Sequence, residues 1–204
     1  SLGLQSYDDK ELKALGRNHD KASGVNAVEI LKEINLTVDL MYGIELQTEA
    51  SLKQSLEEFI DSKANHLSLY QLTIEPNTIF YKKELKLPNE KNIEKMERLA
   101  KNLLEQNGFH QYEVSSWCKP GFESKHNVNY WQFGDFLGVG PGAHSKITSD
   151  GEISRFRKIK PLDGYIKQQT MADHTIVKGD ELDMDLAMNL LRIKNGIKQD
   201  QISA

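Results

Sequence analysis

Apolar residues along the chain change their spacing several times, and each change marks an element. Leu2 and Leu4 form a short apolar start. Ser6 then precedes Asp8 and Asp9, which predicts a helix with a hydroxyl cap and acidic groups at its amino end. Leu12 and Leu15 give that helix one apolar face and Gly16 ends it. Asp20 opens a second helix, in which Val25, Val28 and Leu31 recur at helical spacing. In "INLTVDLMYG" the period becomes two: Ile34, Leu36, Val38 and Leu40 alternate with Asn35, Thr37, Asp39 and Met41, as in a strand closed by Gly43. Thr48 caps a third helix with a Leu52, Leu56 and Phe59 stripe, and "HLSLYQLTIEP" is a second full strand, stopped by Pro76. Ile93, Met96, Leu99 and Leu103 mark the clearest helix, which Gly108 terminates, and "FHQYEVSSW" reads as a further strand. This alternation predicts a parallel α/β sheet, and the loose recurrence of one strand-helix unit suits a barrel.

Past Trp117 the regularity fades. The segment "SKHNVNYWQFGDFLGVGPGAHS" from Ser124 sets His126, His144, Tyr130 and Trp131 beside a run of glycines, and it reads either as a ligand cradle or as an aromatic corner followed by a packed turn. From Lys160 the pattern is helical again, with Leu186, Leu190 and Ile193 on one side. No repeat of fixed period and no low-complexity tract is present.

Composition narrows the class. The 204 residues are 38% hydrophobic and 27% charged, as in an ordinary globular chain with room for one sizeable core. The net charge of -4 gives no argument for nucleic acid as a partner. The one basic run, "RFRKIK" at Arg155–Lys160, reads as a solvated edge. No stretch reaches the roughly 18 apolar residues of a membrane helix, and no charged-then-apolar leader is seen. Peripheral membrane contact therefore has no sequence feature behind it, and a cytoplasmic location is expected. The single Cys118 forbids an internal disulfide and agrees with that. The chain starts without Met at the end of a strand and stops in "NGIKQDQISA", so we read it as an internal portion of a longer protein.

In parallel α/β folds chemistry gathers at the carboxyl ends of the strands. Gln5, Asp39, Thr73 and Glu113 fall at or near such ends. Asp39 interrupts a strand-like run, where an ionised carboxylate needs a partner: it serves a ribose or amine, or it pairs with a structural donor. Arg17, directly after Gly16, clamps a carboxylate or simply covers surface. His126 and His144 are imidazoles for axial ligation, or satisfied histidines beside core aromatics. "GVGPGA" matches neither the dinucleotide fingerprint nor the phosphate loop. Cys118 has no base placed near it by sequence, no cysteine group has metal-ligand spacing, and no nucleophile elbow occurs.

Together "LGLQSYDDKELKALGRNH", "VDLMYGIELQT", "HLSLYQLTIEPNT", "YEVSSW" and "HNVNYW" with "GVGPGAHS" resemble successive blocks of the radical S-adenosylmethionine proteins related to oxygen-independent coproporphyrinogen III oxidase, and most of all the HemW-like heme chaperones. The resemblance runs in order from Ser1 to Ser145 and thins beyond. It implies a partial (β/α)6 barrel, present here as an incomplete portion without its first strands and followed by a helical carboxyl-terminal extension. The implied divisions are 1–145 as the carboxyl-side part of the barrel and 146–204 as a connecting segment and the start of a mostly helical region.

The resemblance also implies S-adenosylmethionine as cofactor, bound to the open iron of a [4Fe-4S] cluster. Gln5 and Arg17 match contacts to S-adenosylmethionine, Asp39 a ribose-binding aspartate and Thr73 a residue lining the adenosine pocket. His126 becomes a candidate heme contact. Heme or a porphyrin is the implied ligand, with a haemoprotein recipient and an electron donor as partners; the alternative is oxidative decarboxylation of porphyrinogen propionates. The departures are specific as well. The three cluster cysteines are absent from these residues, so the cluster's ligands are expected upstream. "IEL" stands where the family has glycine and proline after "YG", and the connection from Lys32 to Ile34 is short beside the family's.

Overall fold

The computed structural model describes every residue except Ile79, Glu84, 168–170 and 197–204. The final segment "NGIKQDQISA" therefore lies, from Ile197 on, outside the described residues. The chain forms two compact units, Ser1–Glu123 and Ser124–Ala204.

The first unit holds β1 (Leu2–Gln5), α1 (Asp9–Ala14), α2 (Lys21–Leu31), β2 (Thr37–Tyr42), α3 (Glu49–Asp61), β3 (His66–Gln71), α4 (Glu90–Gln106), β4 (His110–Gln111) and β5 (Ser116–Cys118). Its open sheet has the order β1-β2-β3-β5-β4. β1, β2 and β3 are parallel, as the strand-helix alternation predicts. β5 instead runs antiparallel to β3 and to β4. The stretch expected as a single strand is thus a hairpin. Glu113 sits inside its turn, where a carboxylate oxygen accepts from the Ser115 amide at 3.1 Å and the Ser116 amide bonds the Glu113 carbonyl at 3.3 Å.

One face of this sheet carries Leu4, Val38, Leu40, Leu67, Leu69 and Trp117, all buried in one core with the helices. α3 contributes Leu52, Leu56 and Phe59, each fully buried, at the spacing of a single helical stripe. Its amino end is fixed by a reciprocal capping box between Thr48 and Ser51. On α4 the buried residues are Met96, Ala100 and Leu104, with Ile93, Leu99 and Leu103 flanking them half-buried. α2 approaches β1 closely enough that a Cβ on Gly24 would meet Leu4 Cδ1 at 2.7 Å, so any larger residue there would have to displace the Leu4 side chain. The cap of α1 is Asp8 rather than Ser6: its carboxylate accepts from the Lys10 and Glu11 amides. Ser6 is drawn inward and donates to Glu11 at 2.6 Å.

The second unit comprises α5 (Lys125–Trp131), β6 (His144–Ser149), β7 (Glu152–Lys158), α6 (Leu162–Ile166), β8 (Met171–Val177) and α7 (Asp180–Leu190). The expected carboxyl-terminal helices are present as α6 and α7. The antiparallel sheet β6-β7-β8 was not expected. Its first hairpin turns on Asp150-Gly151, both in the left-handed region that two-residue hairpins require. β7 is the central strand, which corrects the reading of "RFRKIK" as an edge: Arg155 pairs with Asp185 and Arg157 with Asp173, so neighbouring carboxylates offset the basic charge. Phe133, Ile153 and Val177 form a small core, against which Leu182 and Leu186 of α7 pack.

Candidate functional site

The polar face of the first unit's sheet is built by register. Gly3 on β1 pairs with Asp39 on β2, Asp39 with Ser68 on β3, and Ser68 with Ser116 on β5. Paired residues point to the same side of a sheet, so these four form one row of small and polar groups on the face opposite the core. Asp39 is half-buried. Loss of solvent pushes its carboxyl above the usual carboxylate range, and the Ser68 hydroxyl acts in the opposite direction.

Gln5 and Arg17 converge on the first member of that row. A Cβ placed on Gly3 would meet Gln5 Nε2 at 2.9 Å and Arg17 Nη2 at 3.7 Å. Gln5 reaches this position because its own φ is 74°, in the left-handed region, at the bulge where the β1–β2 register shifts. Arg17 is aimed by the helix exit: Gly16 at φ 68° closes α1, and the Arg17 amide bonds the Leu12 carbonyl at 2.9 Å. An amide, a guanidinium and a half-buried carboxylate thus share one end of an open sheet, an arrangement suited to a small polar ligand with a carboxylate and hydroxyls.

Thr73 lies two residues beyond β3 and is exposed, while the preceding Leu72 amide holds the strand end to the Tyr42 carbonyl at 2.9 Å. Glu113 belongs to the β4–β5 turn and not to a strand end that faces this row.

The supporting residues were not apparent from the sequence. Glu11, only 2% exposed, accepts from Ser6 at 2.6 Å, from Gln47 Nε2 at 3.0 Å and from the Ser51 hydroxyl at 2.6 Å. The Gln47 carbonyl oxygen in turn accepts from the Gly43 amide at 2.7 Å. This network ties the loop after β1, the loop after β2 and the start of α3 together, and it fixes the rim on which Gln5 and Arg17 stand. In the sequence Glu11 looks like one more first-turn acid, and only the fold turns it inward.

His126 belongs to the second unit, exposed on the first turn of α5, whose cap is the Ser124 hydroxyl. The aromatics beside it form a corner: Tyr130 meets Trp131 edge-on at 4.9 Å and Phe136 at 5.1 Å. Gly138 is needed for close packing, since a Cβ there would lie 2.1 Å from the His144 carbonyl oxygen, and Gly140 turns at φ 104°. An open cavity of about 450 Å³ in the same unit is lined by Tyr130, Phe136, His144, Lys146 and Arg155 among others. Lys146 Nζ is already committed, to the Phe133 carbonyl at 2.8 Å and to Asp135 at 2.9 Å. The glycine-bearing stretch is therefore a packed turn around an aromatic corner, with His144 rather than His126 at the cavity.

Among the described residues no helix is long and apolar enough to cross a membrane. No family model matches the chain. Its sequence is 38% identical over 196 residues to a heme chaperone HemW of Buchnera aphidicola, an alignment that covers 95% of this chain and 52% of that protein. It is also 38% identical over 205 residues to the heme chaperone HemW of Haemophilus influenzae, covering 98% and 54%. Against the mouse radical S-adenosyl methionine domain-containing protein 1, mitochondrial, the identity is 36% over 189 residues, covering 85% and 42%. The fold matches coproporphyrinogen III oxidase (HemN) from Escherichia coli with a TM-score of 0.74 at 18% identity, over 94% of this chain and 49% of that one. The chain thus spans about half the length of the relatives it matches, and its sheet is an open part of the radical S-adenosylmethionine barrel fold. The chain is a member of the radical S-adenosylmethionine superfamily, closely related to the HemW- and HemN-like proteins.

Proposed function

We propose that this chain is the carboxyl-side part of a heme chaperone of the radical S-adenosylmethionine family, and that its polar sheet face holds the adenosine and amino-acid ends of S-adenosylmethionine. The observation that carries the reading is the meeting of Gln5 and Arg17 over Gly3, in register with Asp39 and Ser68. Arg17 offers a two-pronged partner for the ligand's carboxylate, Asp39 an acceptor for ribose hydroxyls, and Thr73 a strand-end hydroxyl beside the adenosine. Gly3 leaves room for the ligand where any side chain would press on Gln5. When bound, S-adenosylmethionine would supply a reductively cleavable sulfonium; the residues here bind and orient it. A [4Fe-4S] cluster does not fit these residues, because a single cysteine cannot supply its ligands.

Heme handling is supported by the relatives named heme chaperones, which align along nearly the whole chain. In this reading His126 is the axial contact, exposed on a capped helix beside Tyr130 and Trp131. On the same reading residues 1–145 are the carboxyl-side part of the barrel, and 146–204 are a connecting segment and the start of a mostly helical carboxyl-terminal region. The partners would be a haemoprotein recipient and an electron donor, in the cytoplasm.

The test is made on the full-length protein with its cluster reconstituted without oxygen. Titration with S-adenosylmethionine should show at least tenfold weaker binding for Arg17→Ala and for Asp39→Ala. Unchanged affinity in both would remove the adenosine assignment. Heme titration followed in the Soret band should be stoichiometric and weakened by His126→Ala. Absent heme binding together with porphyrinogen turnover would move the assignment to oxidative decarboxylation.

A further inference from the structure

Three donor atoms from separate parts of the first unit meet at the far edge of its sheet. His110 on β4 and Cys118 on β5 are register partners, so their side chains stand side by side on one face. The chain then turns through Lys119-Pro120-Gly121-Phe122. Proline at the second position, glycine at φ 84° at the third and a Phe122 amide bond to the Lys119 carbonyl at 3.0 Å are the features of a type II turn. That turn brings Glu123 back to the histidine. His110 Nε2 lies 3.0 Å from Glu123 Oε1 and 3.7 Å from Cys118 Sγ, and the three donor atoms all lie within 4.8 Å of one another. We propose that His110 Nε2, Cys118 Sγ and Glu123 Oε1 bind a divalent cation of the zinc class.

The chemistry of the set selects this ligand. One histidine nitrogen faces both a carboxylate and a sulfur, and the single hydrogen on that nitrogen can serve only one of them. A tetrahedral zinc ion serves all three: the usual bond lengths would separate the donors by roughly 3.3–3.6 Å, which lies between the 3.0 and 3.7 Å at His110 and asks the third pair, now within 4.8 Å, to draw together. A mixture of nitrogen, sulfur and oxygen donors disfavours calcium and magnesium, which take oxygen alone. Three protein ligands leave the fourth position to water or another ligand, and the side chains of His110 and Glu123, 42% and 37% exposed, give solvent access on that side.

The surroundings are compatible with an arriving cation. Glu123 presents its carboxylate to His110 from a part-buried position just past the turn. His66, the register partner of Cys118 on β3, is pulled down to about 4 by burial and stays neutral near pH 7. Its Nδ1 is buried without a hydrogen-bond partner, while its Nε2 lies 2.8 Å from the Tyr112 hydroxyl. The nearest lysine in sequence, Lys119, is directed elsewhere, to the Asn107 carbonyl at 2.6 Å and over the Phe109 ring. A cysteine thiol is ordinarily protonated at neutral pH, so binding must expel one proton: the S–H bond breaks, a sulfur-to-metal bond forms, and the proton leaves to solvent.

The experiment is cobalt(II) titration of the metal-stripped chain. Because the chain has one cysteine, a sulfur-to-cobalt charge-transfer band reports Cys118 alone. One cobalt per chain should bind with that band, one proton should be released, and equimolar zinc should abolish the band. Cys118→Ser should lose the band, and Glu123→Gln, a near-isosteric change at a part-buried position outside the strands, should weaken cobalt binding at least tenfold. Zinc should raise the melting temperature of the native chain and not of either variant. A chain that binds cobalt without the sulfur band, or that binds no cobalt while folded by circular dichroism, holds a histidine–carboxylate ion pair only, and the proposal falls. His126→Ala serves as control and should leave the titration unchanged, so this outcome is independent of heme binding.

Discussion

The two units answer the same problem of burying apolar surface with very different means. In the first, a mostly parallel sheet is covered by helices, and Leu52, Leu56, Phe59, Leu67 and Leu104 are wholly withdrawn from water. In the second, an antiparallel sheet and α7 enclose Phe133, Ile153 and Val177, while Met184, Met188 and Leu191 stay exposed. Backbone pairing and ion pairs such as Arg155–Asp185 carry more of the second unit's specification. The lesson is that parallel strands force both the long apolar runs and the helical cover, whereas a meander can stand on turns and register with a small core.

The largest loss of stability is expected in the first core. Phe59→Ala should cost about 4 kcal/mol, because it removes a ring that also packs on Phe109 at 5.2 Å, and chemical denaturation would read the loss. Ile153→Ala in the second unit should cost less, about 2 kcal/mol, because its small core can close over the gap. Equal losses would show that the two cores are not different in kind.

Acid gives the next largest effect. His66 ordinarily titrates at 6.5 and is lowered to about 4 in the fold, chiefly by burial. Between those values the unfolded chain binds the extra proton, so stability is full above about pH 6.5 and is lost as pH falls towards 4. The loss should total about 3 kcal/mol. His66→Gln should flatten that part of a stability-versus-pH curve; an unchanged slope would assign it to other groups.

Glu11→Ala should cost about 2 kcal/mol by leaving Ser6, Gln47 and Ser51 without their acceptor, and it should loosen hydrogen exchange at the Gly43 amide. The smallest effect belongs to the second unit. Ser124→Ala removes the cap that accepts from the Asn127 amide at 3.3 Å and should cost about 1 kcal/mol, seen as fraying of α5 by exchange measurements.

Legibility also differs between the units. The stripes of α3 and α4 and the alternation of β2 could be read directly because period and burial coincide there. Of the candidate residues, Gln5, Arg17 and Asp39 could be named from their strand and helix ends, but Ser68 and Glu11 could not, since an alternating serine and a first-turn acid look ordinary. In the second unit the signal was present and weak: "SDG" between Ile147 and Ile153 is a hairpin turn, yet the flanking strands mix charge with apolar residues. The helical reading from Lys160 therefore passed over β8.

Local spacing and blocks of residues in a row are enough to reveal the strand-helix order of the first unit as far as α4, and the family. Only the tertiary structure decided that "FHQYEVSSW" folds back on itself, that Gln5 and Arg17 meet over Gly3, and that Cys118 stands beside His110 and Glu123. Those outcomes depend on register between strands and on turn geometry, which bring together residues whose separation along the chain carries no information about their distance in space.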